Sequence, residues 1–169
     1  MNADELRLRQ TPLKEKYNAD PAAALITLRA AGRATEGVSC RLETGKALVE
    51  AGLHPSTGGD GTLACSGDML LEALVACAGV TLRAVATAIG VELRDAQVVA
   101  EGDLDVRGTL GVSKDAKVGF RSIRLRFALE TNASEEQRAT LLRLTERYCV
   151  VLQTLRMPPV IAVEPTSVP

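Results

Sequence analysis

The run from residue 68 to residue 89, DMLLEALVACAGVTLRAVATAI, constrains this chain more than any other stretch. Its residues are mostly strong helix formers, with no proline, and as one helix they would span about 33 Å at 1.5 Å per residue. Asp68 in the first turn suits the positive end of the helix dipole, Ser66 is placed to cap the start, and Gly90 is a natural residue just past the end. The length invites a membrane span. However, Glu72 and Arg83 fall three turns apart on one face, and each charge would cost about 2.5–3.5 kcal/mol at bilayer depth. A largely buried helix with one polar stripe fits better, and no membrane partner is expected.

What must cover such a helix is limited by composition. At 169 residues, 46% hydrophobic and 24% charged, the chain reads as about one soluble globular domain. Twenty Lys+Arg against 21 Asp+Glu give a formal charge of -1, so no overall field draws in nucleic acid and none is expected as a partner. With no Trp, two Phe and two Tyr, stacking on bases or sugars has almost nothing to work with, and Ala, Leu, Val and Ile must fill the core. The opening MNADELRLRQTPLKEKY is charged throughout and lacks the apolar segment of a secretory signal, so a cytoplasmic location is expected.

The remaining elements read as strands and one further helix. Residues 2–18 read as a helix or loosely docked arm, closed by the break Asn18-Ala-Asp-Pro21. Strands are expected at 24–29, at 38–43, where Val38, Cys40 and Leu42 alternate with polar residues, and at 46–51. Residues 52–62, GLHPSTGGDGT, form the clearest irregular loop. Beyond the long helix, alternation predicts strands at 98–106 and 121–129 joined through a hairpin at 108–117. Ile123, Leu125, Phe127 and Leu129 face inward on the second. Ser134-Glu-Glu-Gln137 is a capping box that opens a second amphipathic helix through Leu141, Leu142, Leu144 and Tyr148. That helix ends before Pro158, and a short closing strand follows at 160–163. The expected organisation is an arm at 1–21, one domain at 22–164 and a free tail at 165–169. Hairpin strands interrupted by two helices, without regular β-α-β alternation, define an α+β fold with antiparallel sheet.

Chemistry centres on the cysteines. Cys40, Cys65, Cys77 and Cys149 are far apart with no C-x-x-C, which indicates neither a zinc knuckle nor a secreted disulfide framework; no metal and no cofactor is expected. A metal site drawing on Cys40, Cys65 and the single histidine, His54, lacks ligand spacing. Cys40 reads as core. Cys77 shares its helix face with Leu74 and Thr81, turned away from Glu72, and spacing alone favours an inert core thiol. Ten residues into the helix it gains little from the dipole, so a reactive Cys77 would need a cation from another element. Cys149 also reads as core when taken alone. Cys65 immediately precedes the long helix, where free backbone N–H groups would lower a thiol pKa; it reads equally as a small buried linker.

Two segments together carry a family likeness. Ser66-Gly-Asp-Met-Leu-Leu-Glu-Ala-Leu-Val-Ala-Cys77-Ala-Gly-Val-Thr-Leu82, joined to Glu146-Arg-Tyr-Cys149, resembles the OsmC/Ohr family of osmotically inducible and organic hydroperoxide resistance proteins. The likeness runs from about residue 24 to residue 163 and includes the strand order. It implies an OsmC-like α+β fold with antiparallel sheets around a long buried central helix, built as an intertwined homodimer with sites at the interface. It also implies a cysteine-based peroxidase acting on small organic hydroperoxides, with Cys77 peroxidatic, Cys149 resolving and an external dithiol as reductant.

The family also uses an arginine from an early strand or loop to hold the thiolate. Arg33 lies in about the right region, with Arg41 as its competitor; both read alone as solvated surface arginines. The family's glutamate near the start of the long helix falls on Gly67 here. Asp68 is one residue out of phase, Glu72 is at the wrong helical angle from Cys77, and Val150 stands where a proline usually follows the resolving cysteine. These departures keep a second expectation open, a noncatalytic dimeric small-molecule-binding module of the same fold.

Overall fold

The computed structural model describes residues 48–111 and 114–165, the backbone of 31–35 and 39–43, and isolated positions among the first nineteen. The side chains of Arg33, Cys40, Arg41, Leu48 and Arg107 lie outside the described set. So do the strand expected at 24–29, most of the arm at 1–21, and residues 166–169 of the tail. At the arm's start, Asn2 and Glu5 exchange reciprocal backbone-to-side-chain hydrogen bonds, the pattern of a helix's first turn.

Strands β1 (Ala31–Thr35), β2 (Ser39–Glu43), β3 (Leu48–Gly52) and β4 (Ala64–Cys65) form a four-stranded sheet in sequential order. The first two pairings are antiparallel and the β3–β4 pairing is parallel, with Gly52 opposite Cys65. In the loop before β4, a 3-10 turn at Pro55–Thr57 is capped by His54, whose Nδ1 accepts the Ser56 N–H at 3.0 Å. Helix α1 (Ser66–Ile89) follows β4 directly and ends on Gly90 at φ 71, the left-handed conformation in which glycine is unstrained. The cap differs from expectation. Ser66 is the first helical residue, and the cap position is taken by Cys65, which makes no side-chain cap bond.

Strands β5 (Asp95–Leu104) and β6 (Phe120–Glu130) pair antiparallel as a second sheet. Both start upstream of their expected bounds. Val106, the last residue of the strand expected at 98–106, instead opens a short helix α2 (Val106–Thr109), so the 108–117 connection is longer and less regular than a hairpin turn. The outer face of this sheet carries exposed ion pairs, Arg126 to Glu101 at 2.7 Å and Arg124 to Asp103 and Glu101. Exposed pairs of this kind add little stability each. The inner face, with Val98, Ala100, Ile123, Leu125, Phe127 and Leu129, packs on α1.

The second amphipathic segment divides in two. Helix α3 (Glu135–Tyr148) opens with the expected capping box, Gln137 N–H donating to Ser134 Oγ while the Gln137 side chain accepts from Ser134 N–H. Cys149 interrupts the helix at φ -73, ψ 105, and α4 (Val150–Arg156) continues beyond it. The closing strand expected at 160–163 does not form: among the described residues these positions have no sheet partner, and Val160 is 99% exposed. The reason is physical, since a β-branched run forms a strand only where an edge accepts its backbone.

The core follows one stripe of α1. Leu74, Ala78, Leu82, Val85 and Ala86 are buried at helical spacing. Toward the carboxyl end they meet Val91, Leu93 and Leu141; toward the middle, Leu74 and Ala78 meet Cys149. The helix was expected to be largely buried with one polar stripe; its fully buried residues lie along this one stripe, and Val80 is 73% exposed. α1 is long and apolar enough to cross a membrane by length and composition, yet its inner stripe is the spine of the packed core.

Candidate active site

Two elements far apart in sequence bring Cys77 and Cys149 together. Cys77 lies near the middle of α1, with Leu74 one turn before it and Thr81 one turn after. Cys149 sits at the elbow between α3 and α4 and is 0% exposed. Both are free thiols. Cys77 packs against the buried cluster that contains Cys149, and the Cys149 thiol acts on the Cys77 sulfur as a donor.

The electrostatics of the two sulfurs diverge. Burial pushes the Cys77 thiol up, but donors outweigh it: the Val151 N–H, the Cys149 thiol, the Val150 N–H and the Thr81 hydroxyl. Together they hold Cys77 below the ordinary thiol value. Cys149 is raised, first by burial and then by its hydrogen bond to Cys77 and the charge there, while the Leu152 and Val151 N–H groups act in the opposite direction. Of the two thiols, Cys77 is therefore the one that gives up its proton first, and Cys149 the one that keeps it. A half-buried thiolate backed by a buried protonated thiol is the arrangement in which an oxidised first sulfur can be condensed by the second.

The surroundings are apolar. Val98 and Ala100 from β5, Ile123, Leu125 and Phe127 from β6, and Val151, Leu152 and Leu155 from α4 pack around the pair. A cavity of about 370 Å³ borders this cluster, sharing Leu74, Ile123, Leu125 and Leu155 as walls, and Arg121, Glu146 and Arg156 contribute its polar lining. Glu146 and Arg156 are ion-paired at 2.9 Å across the elbow.

The other expected residues are placed as follows. Arg33 lies on β1 directly opposite Arg41 on β2, and its side chain falls outside the described residues. Gly67 is in the first turn of α1, where an added Cβ would meet Cys65 Sγ and the tip of the Phe120 ring, each at 3.6 Å. The same ring lies so close over Gly102 that a Cβ there would come within 2.5 Å of it. An aromatic wall therefore flanks the position that the likeness assigns to a carboxylate. Asp68 and Glu72 are exposed on α1. Cys65 is half-buried at the start of α1, twelve residues and about 18 Å along the helix from Cys77. Among the described residues no three His, Cys, Asp or Glu side chains gather as metal ligands.

Sequence reasoning missed the donors that act on Cys77. It looked to a cation, whose candidate side chain, Arg33, lies outside the described residues; among those described, the backbone N–H groups of Val150 and Val151 at the break beside Cys149 act on the sulfur. Val150 stands where the likeness has proline, and a proline would have no N–H to give. That substitution was visible in the sequence; its consequence required the elbow.

The family model described as OsmC-like protein matches residues 59–164. The chain belongs to the family of OsmC-like proteins. Its fold is similar to that of an OsmC-like protein from Mycoplasma pneumoniae, at TM-score 0.67 and 16% identity over 79% of this chain and 89% of that one. It is similar as well to an organic hydroperoxide resistance protein OsmC from Legionella pneumophila, at TM-score 0.62 and 17% identity over 79% and 91%. A third, an organic hydroperoxide resistance protein from Elizabethkingia anophelis, gives 0.63 and 15% over 79% and 91%. At these identities the likeness is one of fold. No curated protein sequence matches the chain.

Proposed function

We propose that the protein is a homodimeric, cytoplasmic thiol peroxidase that reduces small organic hydroperoxides, with Cys77 peroxidatic and Cys149 resolving. The observation that carries this reading is the asymmetric thiol pair, Cys77 held below the ordinary thiol value and hydrogen-bonded to a buried, raised Cys149. The Cys77 thiolate attacks the terminal oxygen of ROOH; the O–O bond breaks, sulfur is oxidised to the sulfenic acid, and RO⁻ leaves to take up a proton as the alcohol. Cys149 was raised partly by the neighbouring Cys77 thiolate, so oxidation of Cys77 removes that obstacle to its ionisation. The Cys149 thiolate then attacks the sulfenic sulfur, the S–O bond breaks, hydroxide leaves and takes up the proton that Cys149 released to form water, and a Cys77–Cys149 disulfide forms. An external dithiol reduces the disulfide by exchange and is itself oxidised to its disulfide.

The apolar walls favour an organic R group over hydrogen peroxide, whose desolvation they would not offset. Two of the structural relatives carry organic hydroperoxide resistance in their names, which supports the same substrate class. The exposed outer face of α1, with Val80 at its middle, supports a symmetric dimer that covers it. Arg33 is assigned as the cation of the thiolate.

One observation favours a second reading. The Phe120 ring beside Gly67 makes the start of α1 apolar where the likeness has a carboxylate, as suits a noncatalytic binding module of the same fold. Turnover separates the two. With excess dithiothreitol, the peroxidase consumes cumene hydroperoxide catalytically and hydrogen peroxide more slowly, and sediments at about twice 17.9 kDa. Stoichiometric or no consumption by a folded dimer would leave the binding module.

A further inference from the structure

In a continuous helix the N–H of Val150 would donate to the carbonyl of Glu146, four residues earlier. The break at Cys149 turns that N–H to the Cys77 sulfur instead, and the Glu146 carbonyl loses its helical donor. The Gln153 side chain stands in for it: Nε2 donates to the Glu146 carbonyl oxygen at 2.7 Å, in a half-buried position. The backbone N–H of the same residue donates to the Cys149 carbonyl at 2.9 Å. Gln153 thus begins the hydrogen bonding of α4 at Cys149 and ties α4 across the elbow to Glu146 of α3, and buried or half-buried backbone carbonyls that lose a helical partner require such a substitute.

We propose that Gln153 is a positioning residue for Cys77: by satisfying the Glu146 carbonyl, its amide holds the elbow broken and keeps the Val150 and Val151 N–H groups on the Cys77 sulfur. The inference rests on the reading of Cys77 as the peroxide-reactive thiol. Without the amide, the half-buried carbonyl draws the Val150 N–H back toward helical geometry, and the thiolate loses a donor. Among the described residues the groups facing Cys77 are few; the side chain of Arg33, the cation assigned above, lies outside them. Cys149 from the elbow is the titratable one and Thr81 from α1 is a neutral donor, while β5, β6 and α4 present apolar side chains. Glu146 and Arg156, nearby at the elbow, neutralise each other.

The test is alkylation of the reduced full-length protein by iodoacetamide across pH, read at the Cys77 peptide by mass spectrometry, for wild type and Gln153→Met. The variant's Cys77 profile is expected to move to higher pH, with alkylation below the midpoint roughly three- to tenfold slower and the high-pH plateau unchanged. The Cys65 profile in the same samples should not move. A folded Gln153→Met protein whose Cys77 profile superimposes on wild type overturns the proposal. Should the variant fail to fold, wild type decides by NMR. There the Val150 and Val151 amide resonances must titrate with the Cys77 midpoint, and the Gln153 side-chain amide protons must exchange more slowly than those of exposed Gln97. Gln153 amide protons that exchange as freely as those of Gln97 overturn it as well. Alkylation needs no peroxide, so a protein without turnover still reports on Gln153, and failure of the peroxidase reading is distinguishable from failure of this one.

Discussion

Cys65 and Cys149 occupy the same kind of position. Each is the N-cap residue of a helix, each has extended backbone, and neither makes a side-chain cap bond. Their surroundings differ. Cys65 follows the glycine-rich loop and has beside it Gly67 and the Phe120 ring; Cys149 is fully buried, with a second thiol opposite. The comparison teaches that the start of a helix does not by itself make a thiol pair for redox chemistry. At Cys149 the break in the helix leaves two N–H groups to act on a sulfur from another element, and the cysteine at the break packs beside that sulfur, as the proposed resolving role requires.

The largest effect expected from this contrast is in turnover. Cys77→Ser should reduce hydroperoxide consumption to background, whereas Cys65→Ser should leave it close to wild type in the same steady-state assay. Equal losses in both variants would erase the distinction between the two caps.

Next in size is the cation. Removing a positive charge from a thiolate raises its pKa, so Arg33→Met should move the Cys77 alkylation profile to higher pH and slow its reaction near neutrality roughly tenfold. If the backbone donors suffice alone, the profile will stay in place and the role assigned to Arg33 falls.

A smaller shift isolates one donor. Proline suits the first position of a helix and has no N–H, so Val150→Pro should keep α4 and delete one hydrogen bond to the charged form. The sign follows directly: the thiolate is disfavoured, its pKa rises, and alkylation of Cys77 below the midpoint should slow by about threefold. Far-ultraviolet circular dichroism should be unchanged.

Much of the fold was legible because its signals are local. The α1 run, the Gly90 stop, the Ser134–Gln137 capping box and the inward alternation on β6 are each written in a few consecutive residues. The elbow was not, because Val150-Val151-Leu152 contains neither glycine nor proline, and the break depends on what Cys77 and Gln153 offer from elsewhere. The run at 160–163 misled for the converse reason: it has strand composition but pairs with no sheet edge among the described residues. At the site, the residue likeness pointed to Cys77 and Cys149 and the structure places them together, yet the activating N–H groups belong to backbone and have no residue type to recognise. Cys65 as the cap in place of Ser66 is a one-residue offset that propensity does not resolve.

The central claim is that Cys77 and Cys149, and not Cys65, form the redox pair. The most direct measurement is to treat the reduced protein with one equivalent of cumene hydroperoxide, block remaining thiols, and map every cysteine by non-reducing peptide mass spectrometry. The account predicts a Cys77–Cys149 disulfide within each chain, with Cys65 recovered as the blocked thiol. A disulfide or sulfenate at Cys65 with Cys77 still reduced would contradict it.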